Sequence, residues 1–313
     1  MLSPSALLPF LLHHLLLLLL LGTALAELAP PCDPDACRLP DCRCDGVTSS
    51  PGGLRREQTP QMVVLTFDDH FNHHGHADLR RLRLFDLTRV NPTGCPVGAT
   101  FFVSHTATDY IIIEEYYLRG HEIGVHSITT KIHVNEHNPI LTTKILMIYV
   151  PLVSWSGTED GEECSMMDDG ACTQPQTADE MVEWMWSNFL RHYDTNRAPF
   201  SVFLHARYFR DYPYALEGMN MFLDRLSQHD DVFLVTVGQV VEWMRHPAPL
   251  SDIATFKPWQ CDRVSLQRPT RCVRTLHATC AFRKPVTYLN TCSPCPCLFP
   301  GLGNPAGSCE DDV

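Results

Sequence analysis

Positive charge, internal repeats and long apolar runs are all scarce in this chain. Its 24 Lys and Arg stand against 36 Asp and Glu, a net charge of −12. A field of that sign repels the phosphates of nucleic acid and an anionic membrane surface, so neither is expected as a partner, whereas a neutral or cationic ligand is. No internal repeat is visible. Beyond residue 26 no segment is apolar for long enough to cross a bilayer. Residues 1–26 themselves contain no Asp, Glu, Lys or Arg, carry the Leu-rich run 15–21, and end in Ala24-Leu25-Ala26. Pro9, His13 and His14 interrupt the apolar stretch, and the small residues at its end resemble a cleavage site. This pattern reads as a secretory signal peptide, with no membrane anchor left after its removal.

Cysteine, by contrast, is plentiful. All 14 lie beyond the leader, and an even number in a secreted, extracellular chain points to disulfides ahead of metal ligation. Spacing does not give their connectivity. Cys32, Cys37, Cys42 and Cys44 precede the Pro/Gly/Ser-rich turn region 49–53, and most of the others follow Gln260. Cys292, Cys295 and Cys297 have a spacing that would also suit zinc, although in a secreted tail disulfides are the expected use. The ends are therefore stapled and the middle supplies the core.

In that middle, apolar runs alternate with amphipathic stretches, the pattern of β/α units on a mostly parallel sheet. Strands are expected at 63–67, 99–103, 122–125, 201–204 and 232–237. The clearest helix is Ala178–Tyr193, where Val182, Met185, Trp186, Phe189, Leu190 and Tyr193 recur at helical spacing and Thr177 with Glu180 forms a capping box. A second helical stripe holds Leu216, Met219, Phe222, Leu223 and Leu226, and a third helix begins near Val240.

Three of the expected strands end in ionisable groups: Asp68 and Asp69 after the first, His126 after Val125, and His205 after Leu204. In a parallel barrel such ends meet at one face. Taken singly, the bland reading is favoured for each: the Asp-Asp pair as a cap of the following turn or helix, and each histidine as a satisfied, partly buried residue. Their convergence is the signal for a metal hydrolase. His70, His73, His74 and His76 follow directly; a compensating metal site is conceivable there, but a solvated loop is the expectation.

The chain resembles the polysaccharide deacetylase family, carbohydrate esterase family four, and in particular its arthropod chitin deacetylase-like members. The likeness is carried by Cys32-Asp-Pro-Asp-Ala-Cys37, Thr66-Phe-Asp-Asp69, Asn91-Pro-Thr-Gly-Cys95, Ala99-Thr-Phe-Phe-Val-Ser-His105, Arg119-Gly-His-Glu-Ile-Gly-Val-His-Ser127, Phe203-Leu-His-Ala206 and the tail from Cys280 to Cys295. It implies a deformed (β/α) barrel and zinc-dependent hydrolysis of the N-acetyl group of chitin or related N-acetylglucosamine polymers. It also implies roles: Asp68 as general base, Asp69 and His126 as zinc ligands, and His205 as general acid. Such a zinc lowers the pKa of its water toward ~7 and polarises the amide carbonyl.

Two departures from the family pattern stand out. Its next zinc histidine falls four residues after His126, where this chain has Thr130. In a helix His133 would lie ~10 Å beyond His126, too far to share an ion, and His137 lies further on. The span between His126 and His205 is also short: the family's Arg-x-Pro-Tyr and Asp-Ser-Thr segments are not in their places, and Arg197-Ala-Pro-Phe200 imitates the first as a decoy. Residues 131–150 look like a junction across an internal deletion. The expected organisation is a signal peptide at 1–26, a Cys-rich segment at 27–60, a deacetylase-like domain at 61–247 truncated between about 130 and 153, and a Cys-rich tail at 248–313. Catalysis is expected to be weak or lost, the alternative being a non-catalytic extracellular protein that binds chitin or matrix.

Overall fold

The computed structural model describes residues 32–33, 35–42, 44, 49–84, 88–104, 107–127, 155–157, 163–164, 166–168, 170, 172–261, 278–283, 286–291, 294–300, 304 and 307–309. The leader, Thr130, His133, His137, the junction 131–150 and Cys292 lie outside the described residues. The chain divides into two compact units, 1–47 and 48–313. In the first, disulfides Cys32–Cys44 and Cys37–Cys42 tie a short turn-rich segment.

The second unit is built on five parallel strands: β1 (Gln61–Asp68), β2 (Thr100–Ser104), β3 (Glu122–Ser127), β6 (Phe200–His205) and β7 (Val232–Leu234). Their order is β3-β2-β1-β6, with β7 also paired to β1. β1 is central. Val63, Leu65 and Phe67 enter one apolar cluster while Met62 and Val64 enter another, so a continuous apolar run is buried on both faces. Full burial of each such side chain is worth ~1.5–3 kcal/mol. Among the described residues no pairing joins β3 to β6, so the fold is α/β with a parallel sheet, and closure into a barrel is not part of what is described.

Helices cover the sheet. α1 (His73–Arg80) follows β1, α2 (Tyr110–Leu118) links β2 to β3, and α3 (Ala178–Tyr193) precedes β6. α4 (Tyr208–Asp211), α5 (Ala215–Leu226) and α6 (Val237–Arg245) follow. α3 has the bounds its periodicity predicts. Thr177 accepts from the Glu180 N–H, but the Glu180 carboxylate reaches the Gln176 N–H instead of closing the expected box on Thr177. Its buried stripe also extends to Met181, which meets Gly218 of α5, and to Trp184, against which a second layer packs. Gly218 of α5 permits the helices to approach closely: a Cβ there would stand 2.8 Å from the Met181 sulfur.

That second layer is the hairpin of β4 (Trp155–Ser156) and β5 (Glu163–Cys164). Trp155 is fully buried beside Trp184 and Phe200, and its indole N–H donates to the Ser201 carbonyl. Two sequence expectations need correction. Residues 235–237 do not extend β7, because Thr236 caps α6 in a reciprocal box with Gln239. The histidine cluster is not a loop, because Asn72 caps α1 by accepting from the His74 and Gly75 N–H groups and so places His73, His74 and His76 on a helix.

Four more disulfides belong to this unit: Cys95–Cys261, Cys164–Cys172, Cys280–Cys295 and Cys297–Cys309. Among the described residues no cysteine is free, and Cys295 and Cys297 serve disulfides and not zinc. The tail contributes an antiparallel hairpin, β8 (Ala278–Arg283) and β9 (Val286–Thr291).

Candidate active site at the carboxyl end of the sheet

Parallel register brings the four sequence-derived site residues to one mouth. Asp68 ends β1 directly opposite His205 at the end of β6. On β3 the pairing runs from Val103↔Val125 to Ser104↔Ser127, leaving His126 in a bulge. Bulges re-aim a side chain beside functional sites. Here the imidazole Nε2 comes 3.7 Å from an Asp68 oxygen, and Nδ1 lies 3.9 Å from an Asp69 oxygen and 3.0 Å from the Ser104 hydroxyl. Asp69 adopts φ +77°, a left-handed conformation that costs a non-glycine residue free energy and is typical of functional positions. The Ser104 N–H holds its carbonyl, and its carboxylate lies 3.3 Å from His205 Nε2.

The other face of His205 meets a residue that sequence reasoning missed. Asp168 lies 2.9 and 3.1 Å from Nδ1 through its two oxygens and also accepts from the His205 backbone N–H. It is delivered by the loop that Cys164–Cys172 closes. The Met167 N–H donates to the Phe203 carbonyl of β6, and the Gln174 amide donates to the carbonyls of Met167 and Cys172. The Tyr208 hydroxyl in turn donates to the Gln174 amide oxygen. The available signal was an Asp-Asp pair, Asp168 and Asp169, between two cysteines.

The electrostatics divide the groups. Burial raises the Asp68 carboxyl above its usual range, opposed by the nearby His126 and His205, and its Oδ1 is buried with no hydrogen-bond partner. The hydrogen bond to Asp168 raises His205, against the opposing effect of burial. The mouth thus pairs a carboxylate that can accept a proton with an imidazole disposed to carry one.

Zinc is the metal that the likeness implies. Two ligands at ~2.0–2.1 Å in a tetrahedral site stand roughly 3.4 Å apart, so Asp69 and His126 face each other at a spacing close to what one ion needs. Among the described residues, however, no third His, Cys, Asp or Glu brings a ligand atom into the same small volume at this mouth. The one such trio is Cys32, Cys37 and Cys44, whose sulfurs are already in disulfides. The described mouth therefore supplies an incomplete zinc site. Arg197 takes no part in it: it precedes β6, stacks on Tyr193 and pairs with Asp231. In α1, His76 bonds the Tyr116 hydroxyl, and His73 lies 3.4 Å from Asp109.

A parallel α/β sheet with paired carboxylates and imidazoles at its carboxyl end is the class these features define. Comparison with known proteins narrows it. Chitin deacetylase 8 of Bombyx mori is 28% identical over 377 residues, covering 92% of this chain and 96% of that protein. Chitin deacetylase 1 of Bombyx mori is 27% identical over 378 residues, covering 89% of this chain and 69% of that protein. Both alignments are longer than this 313-residue chain, so the relatives carry sequence that has no counterpart here. A peptidoglycan deacetylase from Bacillus subtilis of known structure is 16% identical, with 66% of this chain and 100% of that one covered and a TM-score of 0.29. No family model matches the chain. Its similarity to these two chitin deacetylases supports placing the chain in the polysaccharide deacetylase family.

Proposed function

We propose that this protein acts outside the cell on chitin or a related N-acetylglucosamine polymer, and that it keeps the acid–base half of a deacetylase site while its metal half is incomplete. Turnover is accordingly weak. The supporting observation is the meeting of Asp68, Asp69, His126, His205 and Asp168 at one mouth, in a chain whose relatives are named chitin deacetylases. The leader and the disulfides support secretion.

In this reading Asp68 is the general base. Its buried, unpartnered oxygen accepts a proton from the attacking water, and His126 and His205 favour the ionised form that this requires. His205 is the general acid, with Asp168 on Nδ1 holding the ring so that Nε2 presents its proton to the departing amine. An amine leaves poorly unless protonated, which is why an imidazole is needed there. Asp69 and His126 are assigned to zinc, which when bound polarises the amide carbonyl and acidifies water. With Thr130 at the third ligand position the ion is weakly held, and that deficit favours a second reading, a saccharide-binding protein without turnover.

The test is acetate release from chitin oligomers in zinc-containing buffer, with binding measured in parallel and His205→Ala as the control. Binding with acetate release within a few-fold of the control is expected. Release far above the control overturns the claim of impairment, and absence of binding to any oligomer overturns the substrate class.

A further inference from the structure

We infer that the C-terminal hairpin carries a second saccharide-binding position, a stacking platform at Tyr288 on a strand bonded to the segments that leave the mouth. The inference rests on the proposed saccharide function and extends it to a part of the chain with no assigned role.

The hairpin is tied to the mouth by a continuous set of hydrogen bonds. The Ser104 N–H donates to the Asp69 carbonyl, and the Ser104 carbonyl accepts from the Thr108 hydroxyl at 2.7 Å. The Phe71 N–H donates to the same Thr108 hydroxyl, and the Asp109 N–H donates to the Phe71 carbonyl. Asp109 is buried and caps α2 through one carboxylate oxygen, while its other oxygen accepts from the Asn290 amide of β9 at 3.2 Å. Asp109 and Asn290 also form a parallel bridge, so β9 runs alongside the loop that leaves β2 at the mouth. Two residues earlier along each segment stand Tyr288 and Ala107. Disulfide Cys280–Cys295 and the contact of Phe282 with Phe299 fix the hairpin from its other side.

On this fixed hairpin Tyr288 is 65% exposed. Its cross-strand partner is Ala281, too small to cover the ring. On the same face Thr279 stands opposite Asn290, its hydroxyl donating to the Asn290 side-chain Oδ1. A solvent-facing tyrosine on a rigid strand, flanked by a hydroxyl and an amide, offers an apolar plane with polar groups beside it. A pyranose ring needs that combination: its C–H face stacks and its hydroxyls hydrogen-bond. The occupant we assign is a sugar unit of the same neutral polymer that enters the mouth, a different unit from the one between Asp68 and His205. Such remote contacts hold a long chain in place without touching the reacting bond.

The experiment measures calorimetric affinities of N-acetylglucosamine trimer and hexamer for the full chain and for Tyr288→Ala and Tyr288→Phe. The expected result is a hexamer affinity reduced about five- to tenfold in Tyr288→Ala and retained in Tyr288→Phe, with trimer affinity unchanged in both. Equal hexamer affinity for the wild type and Tyr288→Ala overturns the platform while leaving the saccharide function standing. Equal losses for trimer and hexamer place Tyr288 in the primary site and overturn its separate role. If the wild type binds neither length, both the platform and the proposed function fall.

Discussion

Replacing Asp168 with Asn removes one charge and almost no volume, which makes it the sharpest probe of the mouth. The Asp168 side chain is 4% exposed and bonds His205 twice, at Nδ1 and at the backbone N–H. Charge-assisted hydrogen bonds of this kind contribute ~1.5–3 kcal/mol. Its hydrogen bond is the largest influence holding His205 above the ordinary imidazole value of 6.5, with the charges of Asp168 and Asp69 adding and burial opposing. Between 6.5 and that raised value the folded protein binds more protons than the unfolded chain. The pair's contribution is thus complete below 6.5 and is lost as pH rises through the folded value. In Asp168→Asn burial prevails, and His205 gives up its proton at lower pH. The assay combines histidine ring NMR on chelator-treated protein with denaturant unfolding at pH 6 and pH 8.5. The variant should lose about 1.5–3 kcal/mol at pH 6 and less at pH 8.5, with the His205 midpoint moved down. A midpoint equal to that of the wild type would refute the role given to Asp168.

Acid should weaken the fold through two other histidines, because burial pushes His121 down to about 3 and His192 down to about 4. Both stay neutral when folded and protonate near 6.5 when unfolded, so each lowers stability by about 1.4 kcal/mol per pH unit within that window; a melting temperature that is flat from pH 6.5 to pH 4.5 would contradict this. Trp155→Ala should cost ~3–5 kcal/mol in urea unfolding and should also lower the His205 midpoint, since the indole anchors the layer that delivers Asp168. An unchanged midpoint in that variant would show that the loop holds its place without the hairpin. Chelator should leave the melting temperature within about 1 °C, and a larger fall would reveal a metal bound far more tightly than two donors permit.

What was legible in the sequence follows from how each element is specified. β1 announces itself because a strand buried on both faces has to be apolar throughout, and α3 because its buried residues return every three or four positions. α1 was missed because only Leu79 among its residues is buried, so periodicity had nothing to register, although Asn72 stood as a visible cap. In α2, consecutive isoleucines suit a strand as well as a helix, and the Asp109 cap decides between them. The mouth divides in the same way. Asp68, Asp69, His126 and His205 are legible because each sits at or beside the end of an apolar strand, and parallel pairing gathers such ends. Asp168 belongs to no strand or helix. Its position is set by the Cys164–Cys172 disulfide, by the Gln174 clamp and by an indole bonding a carbonyl 46 residues away. Local pattern carries no trace of bonds made across such distances, so the imidazole could be placed from its own strand while the carboxylate that orients it could not.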